Sequence, residues 1–251
     1  MKRAGFICDA HIPCEDPRAY ELALDILQDI KVDCLILGGD WSDFYSLNQY
    51  GVSPDVQFNL EEERYAVRKR LREMRKAFKD VEIIYLQGNH EYRLERFVDK
   101  YAPQFFNMIT TDKFFNLGEF DIKYIPYGHD QKHNVLGTPL IARHEPLSCS
   151  LHCAYQTVIK GARSMIFGHT HRIQSVILKN IDGQHLKGTS CGCLLDFDSP
   201  VFKYRKGVDS WAHGFNIITV LDDGIWFSEQ IHILPRGRKY CALVDGCLYE
   251  N

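Results

Sequence analysis

The chain has 251 residues, of which 45% are hydrophobic and 25% are charged, and its formal net charge is −3. This length allows a substantial hydrophobic core without disulfide support, and we expect one domain that spans residues 1–251. The near-neutral charge excludes a strong overall attraction to nucleic acid or to a membrane surface.

The first predicted elements are a strand, a helix and a second strand. Residues 4–8 form an unbroken apolar run that stops at Asp9, which indicates a buried strand. Asp16 and Pro17 are typical of a helix cap and first turn, and the apolar stripe of the helix follows at Leu22, Ile26, Leu27 and Ile30. Residues 32–37 form a second buried strand before Asp40. This order predicts parallel pairing with a helical crossover.

The next segment predicts a loop, a helix and a third strand. Residues 41–54 are aromatic and polar without periodicity, which favours a loop, and residues 58–79 form a long helix whose charges predict a solvated face. Residues 81–86 are a third buried strand that ends before Gly88, Asn89 and His90, and another helix is expected from Glu91.

The second half of the sequence is richer in strands. We predict a helix over residues 151–160 and strands over residues 120–125, 140–142, 164–167, 173–178, 184–189, 215–221 and 225–233. Turns at Asp182-Gly183 and Asp223-Gly224 separate the later ones. No internal repeat or low-complexity linker interrupts the chain, so the pattern predicts an α/β fold in one domain.

Polar side chains follow five of these predicted strands. They are Asp9, His11, Asp40, Asn89, His144, His169 and His171. Because ligands gather at the carboxyl ends of strands in α/β sheets, we expect these side chains to meet at one edge. Oxygen and imidazole ligands without thiolates suit Mn, Fe, Zn, Ni or Co, and less exclusively Mg. Each motif alone is weak evidence, and the ordered set indicates a metal site.

The ordered set resembles the calcineurin-like metallophosphoesterase superfamily. The matching stretches are Asp9-Ala10-His11, Gly39-Asp40, Gly88-Asn89-His90-Glu91, His144 and Gly168-His169-Thr170-His171. The sequence looks most like compact, phage-encoded members that act on nucleotides or nucleic acids. The resemblance implies a four-layer α/β/β/α sandwich with two mixed sheets faced by helices.

The resemblance also implies two divalent metal ions, of which Mn²⁺ is the expected one. Asp9, His11 and His171 would hold the first ion and Asp40 would bridge both. Asn89, His144 and His169 would complete the second site. Two such ions share a hydroxide and stabilise the charge that develops on a phosphoryl group.

Two further residues receive catalytic roles from the resemblance. His90 would donate a proton to the leaving oxygen or stabilise the transition state. Asp43 would orient His90 and raise its pKa. A simple loop cap is the alternative for Asp43.

Parts of the pattern leave alternatives open. His129, His133 and His152 are other candidates for the ligand that we assign to His144. Phe44 stands where phosphoprotein phosphatases carry an arginine in their second motif, which disfavours a protein phosphatase.

The substrate-binding residues are the least determined. Arg93 could reach a phosphate or belong to a solvated helix face. Phe44 and Tyr45, with Trp41 and Tyr50 on the same loop, could stack on a base or pack the loop down. The tail over residues 235–251 suggests no role beyond a substrate or subunit contact.

The expected function is hydrolysis of nucleoside 5′-monophosphates, with deoxynucleotides favoured. The alternative is a phosphodiesterase or nuclease that acts on DNA or small diesters through the same metals, and the third hypothesis is a catalytically silent scaffold. Nine cysteines without a Cys-x-x-Cys pair indicate reduced thiols in a cytoplasmic protein. The expected partner is a small phosphate ester, with DNA under the alternative and no membrane.

Overall fold

In a computed structural model that describes residues 1–48, 59–202 and 208–251, strands and helices alternate in the first half of the chain. The strands are β1 (Lys2–Ile7), β2 (Cys34–Leu37), β3 (Glu82–Leu86), β4 (Ile122–Ile125), β5 (His133–Asn134), β6 (Ile141–Arg143), β7 (Met165–Phe167), β8 (Ile173–Lys179), β9 (His185–Cys191), β10 (Gly214–Val220), β11 (Trp226–His232), β12 (Leu234–Arg236), β13 (Lys239–Val244) and β14 (Cys247–Glu250). The helices are α1 (Pro17–Asp29), α2 (Leu60–Ala77), α3 (Tyr92–Tyr101), α4 (Thr111–Phe115) and α5 (Cys153–Gly161).

Two mixed sheets form the body of the molecule. The first has six strands in the order β11-β10-β1-β2-β3-β4, and its four strands from the N-terminal half pair in parallel. The second has five strands in the order β5-β6-β7-β9-β8. The thiol of Cys191 donates to the carbonyl of Phe6, and the amide of Gln230 donates to the carbonyl of Ser190, so the sheets contact each other directly.

Helices cover the outer faces of both sheets. Asp16 caps α1 through the backbone N–H groups of Arg18 and Ala19, and Leu27 of the same helix packs over Gly5 of β1. On the second sheet, Ala154 and Val158 of α5 lie over Gly188 of β9. The fold is therefore the predicted α/β sandwich with two mixed sheets faced by helices.

The charged helix α2 has the solvated face that its sequence suggests, and some of its charged side chains also contact the protein. Asn59 and Glu62 form a capping box at its start. The guanidinium groups of Arg64, Arg68 and Arg75 donate to backbone carbonyls of the segment 114–121. These arginines therefore satisfy backbone carbonyls at the end of α4 and in the turn that follows it, instead of only facing water.

Among the described residues, the sequence-based prediction lacks the short helix α4, the two-residue strand β5, and a third sheet in which β13 pairs with β12 and β14. The third sheet buries Ala242 and Val244, and its Tyr240 hydroxyl donates to Asp16 at the start of α1. The uninterpreted tail thus packs on the first helix.

The remaining predicted strands and helices are present with ends shifted by one or two residues. Phe58 and Tyr50 fall outside the described residues. No helix among the described residues is long and apolar enough to cross a membrane.

Candidate metal centre

The seven predicted ligands converge on the loops that follow five strands. Asp9 and His11 follow β1, Asp40 follows β2, and Asn89 follows β3. From the second sheet, His144 follows β6 while His169 and His171 follow β7. Both sheets therefore contribute side chains to one site, as expected for the carboxyl ends of parallel strands.

The backbone of these loops turns sharply at the ligand positions. Positive φ angles of 49–66° occur at Asp9, His11, Asp40, His169 and His171. Few residues other than glycine adopt this conformation, although Asp and His do so more often than most. Left-handed residues clustered at one place are typical of functional sites, where the surrounding structure holds a strained backbone.

Asp9, His11 and His171 form the first group. The Nε2 atom of His171 lies 3.3 Å from Oδ1 of Asp9 and 3.2 Å from Nε2 of His11. The carboxylate of Asp9 also accepts the backbone N–H of His169, which ties this group to the neighbouring ligand. The three ligand atoms are close enough together to share one cation.

Asp40, Asn89, His144 and His169 form the second group. The Nε2 atom of His144 lies 3.2 Å from Oδ2 of Asp40 and 3.0 Å from Oδ1 of Asn89. The same Asn89 oxygen is 2.7 Å from Nδ1 of His169. Asp40 Oδ2 is also 4.0 Å from Nε2 of His11, so this carboxylate lies between the two groups.

The hydrogen bonds behind the ligands determine which ring nitrogens face the centre. Nδ1 of His144 is 2.8 Å from the carbonyl of Gly38 and can only donate to it, so when the ring is neutral its inward-pointing Nε2 is an acceptor. Nδ1 of His11 donates to the carboxylate of Asp43 at 2.8 Å, which likewise leaves Nε2 of His11 as the acceptor. Hydrogen-bond acceptors that face each other across a buried space can coordinate a divalent cation through their lone pairs. These oxygen and imidazole ligands suit the metals named in the sequence analysis.

The electrostatics of the centre favour positive charge. Burial by itself lowers the pKa of the His144 imidazole, but the carboxylates of Asp40 and Asp9 outweigh it and raise that pKa to about 10. Burial works in the opposite direction on Asp40, where the surrounding imidazoles hold the pKa well below its ordinary value. A proton or a metal cation would satisfy the same attraction.

His90 and Asp43 adjoin this centre. Nδ1 of His90 is 2.9 Å from Oδ1 of Asp43, and Nε2 of His90 is 3.9 Å from Oδ2 of Asp40. Although burial favours the neutral ring, these two carboxylates raise the pKa of His90. The same Asp43 oxygen contacts His11, so one carboxylate orients both a predicted ligand and the predicted proton donor.

Arg93 lies at the edge of the centre. Its guanidinium donates to the carbonyl of Asp43 at 3.0 Å and approaches Nε2 of His90 at 3.0 Å. The side chain therefore points toward His90 and away from the solvated helix face that was the alternative. Its role in substrate binding stays a prediction.

Glu91 has a structural part that the sequence reasoning missed. Its carboxylate accepts the backbone N–H groups of Asp40, Trp41, Ser42 and Gly88 and the hydroxyl of Tyr85. These bonds fix the turn that carries Asp40 to the turn that carries Asn89 and His90. The sequence feature that could have indicated this role is the glutamate at the fourth position of the Gly-Asn-His-Glu motif.

For Phe44 and Tyr45, the described structure favours the alternative in which these rings pack the loop down over the one in which they contact a base. Phe44 is fully buried and its ring packs against Phe114 and Phe115 of α4, while Tyr45 is 5% exposed. Trp41 is also fully buried, against Tyr20. The loop after β2 is apolar enough to fold into the core, so these rings stabilise it and are not presented to a ligand.

Of the four histidines considered for the ligand that follows β6, His144 is the one at the centre. His129 and His152 are exposed, and His133 pairs with Ala142 at the sheet edge.

Two aromatic residues at the centre were missed. The ring of Phe202 lies 5.4 Å from that of His11, and the ring of Trp211 lies 4.3 Å from that of His171. They precede β10 without a motif, and the sequence gives no sign of their position.

Comparison with known proteins identifies relatives from bacteriophages. The chain is 24% identical over 264 aligned residues to the Gene 54 protein of Mycobacterium phage L5 and 25% identical over 265 to that of Mycobacterium phage D29, with 99% of each chain covered. No family model matches the sequence.

Solved structures matched by the fold include Vps29 from Chaetomium thermophilum and a dimetal phosphatase from Danio rerio. The first is 10% identical, with 100% of this chain and 97% of that chain covered and a TM-score of 0.46. The second is 14% identical, with 92% and 98% covered and a TM-score of 0.43. In the order of its motifs and in the meeting of those residues at the ends of adjoining strands, the chain resembles the calcineurin-like metallophosphoesterases, and its full-length relatives are phage proteins.

Proposed function

We propose that the protein is a metal-dependent phosphomonoesterase that hydrolyses nucleoside 5′-monophosphates. The observation that carries the proposal is the position of His90 beside the seven clustered ligands, with its Nδ1 on Asp43 and its Nε2 facing Asp40. A protein that used the cluster for structure alone would not need a buried imidazole held in this way. The arrangement therefore supports catalysis over a silent scaffold.

The side chains can be assigned to the parts of an ester hydrolysis. The seven ligands would hold two divalent ions, which supply Lewis acidity and a nucleophile at neutral pH. His90, whose pKa is raised by Asp40 and Asp43, would donate from Nε2 to the leaving oxygen of the ester once the Arg93 guanidinium, which donates to that nitrogen in the free protein, turns to the substrate. Arg93, next to that nitrogen, would bind a phosphoryl oxygen.

The preference for a monoester over a nucleic acid rests on charge. A nuclease needs a row of cationic side chains along the strand that it binds. The net charge of this chain is −3, and Arg236 of the tail is paired with Glu250. A small anionic substrate needs no such row.

Phosphate release tests the proposal. The purified protein with Mn²⁺ is given ribo- and deoxynucleoside 5′-monophosphates, bis-p-nitrophenyl phosphate and single-stranded DNA in parallel. We expect release of inorganic phosphate from the mononucleotides and no cleavage of the diester or the DNA. Cleavage of the diester or the strand instead would make the protein a phosphodiesterase, and hydrolysis of none of them would favour a scaffold.

A further inference from the structure

The indole of Trp211 lies directly beside the metal-binding cluster. Its ring centroid is 4.3 Å from that of His171, with the planes inclined at 74°. The centroid of its ring lies 5.9 Å from that of Phe202, which also contacts His11, and 6.5 Å from that of Phe197. Phe202 is 1% exposed, whereas Trp211 is only partly buried. The metal-binding cluster is therefore bordered, next to His171, by an aromatic ring that solvent can reach.

Backbone hydrogen bonds hold Trp211 next to the metal ligand His171. The N–H of Ala212 donates to the carbonyl of His171 at 2.9 Å, and the N–H of Cys193 donates to the carbonyl of Ala212 at 3.0 Å. Trp211 is thus fixed next to the turn that carries His171. A large aromatic side chain held this way loses little conformational entropy when a flat ligand packs on it.

Other aromatic residues near the centre are less suited to contact a substrate. Trp41 and Phe44 on the loop after β2 are fully buried. The rings of Tyr92 and Tyr127 pack against each other in a tilted arrangement with centroids 5.0 Å apart, and both line a separate cavity of about 240 Å³ beside α3. Trp211, in contrast, touches a ligand ring.

We infer that Trp211 stacks on the base of the nucleotide and makes the enzyme select nucleoside phosphates over alkyl phosphates. The inference rests on the proposed function and names the residue that sets its substrate class. With the phosphate at the cluster, a planar leaving group can pack on the indole, which an alkyl group cannot do equally well. Stacking tolerates every base, so the preference is for a base and not for one particular base.

Kinetics with paired substrates test the inference. For the Mn²⁺-loaded protein, kcat/KM is measured for a deoxynucleoside 5′-monophosphate and for glycerol phosphate. In Trp211→Leu we expect the ratio of the two to fall roughly tenfold to a hundredfold, mostly through KM for the nucleotide, and in Trp211→Phe to fall less. Trp226→Leu, a matched change on β11 away from the centre, should leave the ratio unchanged.

Two kinetic outcomes would overturn the inference. An equal loss on both substrates in Trp211→Leu would make Trp211 a structural support for His171. A fall in the ratio in Tyr127→Leu and not in Trp211→Leu would move the base to the cavity beside α3.

Fluorescence separates failure of this inference from failure of the proposed function. We expect the nucleotide to quench tryptophan emission in the parent protein and in Trp226→Phe, with the quenching lost in Trp211→Phe, and inorganic phosphate to quench none of them. Absence of hydrolysis with this pattern intact would refute the phosphatase proposal and keep Trp211 as the base contact. Absence of quenching in the parent, or quenching that persists in Trp211→Phe, would refute the contact even if phosphate is released.

Discussion

At the scale of single residues, the role proposed for His90 can be tested separately from metal binding. His90→Ala should lower kcat for phosphate release by about two to four orders of magnitude, because a positioned general acid contributes that much. Metal content should stay that of the parent, since the ring is not one of the seven clustered ligands. Phosphate release and elemental analysis of the same preparation measure both quantities.

The exposed His129 provides the control. His129→Ala should retain the activity and the metal of the parent. Full activity in His90→Ala would remove the assignment of His90 as proton donor.

A second prediction at this scale concerns the close approach of two turns at Gly88. A Cβ atom there would lie 2.1 Å from Oδ1 and 2.3 Å from the backbone nitrogen of Asp40. Gly88→Ala must therefore displace Asp40, and we expect loss of bound metal and of activity, measured by elemental analysis and phosphate release. Gly118→Ala, where a Cβ meets nothing within 4 Å, should behave as the parent, and normal metal content in Gly88→Ala would contradict this account.

At the scale of elements, α2 holds the loop after β2 through one buried carboxylate. Glu63 accepts the backbone N–H groups of Tyr45 and Ser46. Burial raises its pKa to about 7 from an ordinary value of 4.5. Between these values the folded chain binds a proton that the unfolded chain has lost, so this group makes the free energy of unfolding fall as the pH rises from 4.5 to 7.

Urea unfolding at several pH values measures this effect. Relative to the parent, Glu63→Gln should lack this fall, so the difference between the two unfolding free energies should change steadily across that range. Glu61→Gln, on the exposed side of the same helix, is the control. A constant difference between Glu63→Gln and the parent would show that Glu63 does not titrate there.

The same scale explains how much the sequence could predict. The strands that end at Asp9, Asp40 and Asn89 are continuous apolar runs, so their limits and the place of the ligands are readable locally. Strand β13 also contains an apolar run, residues 240–244, so its presence was readable locally, but β12 and β14 are short and mostly exposed, and the pairing of the three strands against α1 was not readable. Whether Phe44 faces a ligand or the core depends on its contact with α4. That contact joins distant parts of the chain, so no local sequence pattern could predict it.

At the scale of the whole molecule, the centre links metal binding to stability. The two carboxylates and four imidazoles of the cluster are assembled by folding, so ions that bind this state and not the unfolded chain stabilise it. At a free-ion concentration a hundred times Kd, one site adds about 2.7 kcal/mol, which corresponds to roughly 5–10 °C in Tm for a chain of this length.

Thermal melting with Mn²⁺ and with a chelator measures the shift. Asp40→Asn should lose most of the increase because Asp40 lies between both groups of ligands, and the exposed Asp25→Asn should keep it. An unchanged Tm on addition of Mn²⁺ to the parent would argue against a metal centre.

The pairing of β10 with β1 affects how the protein is made. Lys2 pairs with Val220, so one edge of β1 stays open until β10 has been synthesised. At synthesis rates of 5–20 residues per second, that delay is roughly 10–45 s. During this time an apolar strand edge is available to other nascent chains, so we expect the yield of active protein to depend on translation speed and on chaperone supply.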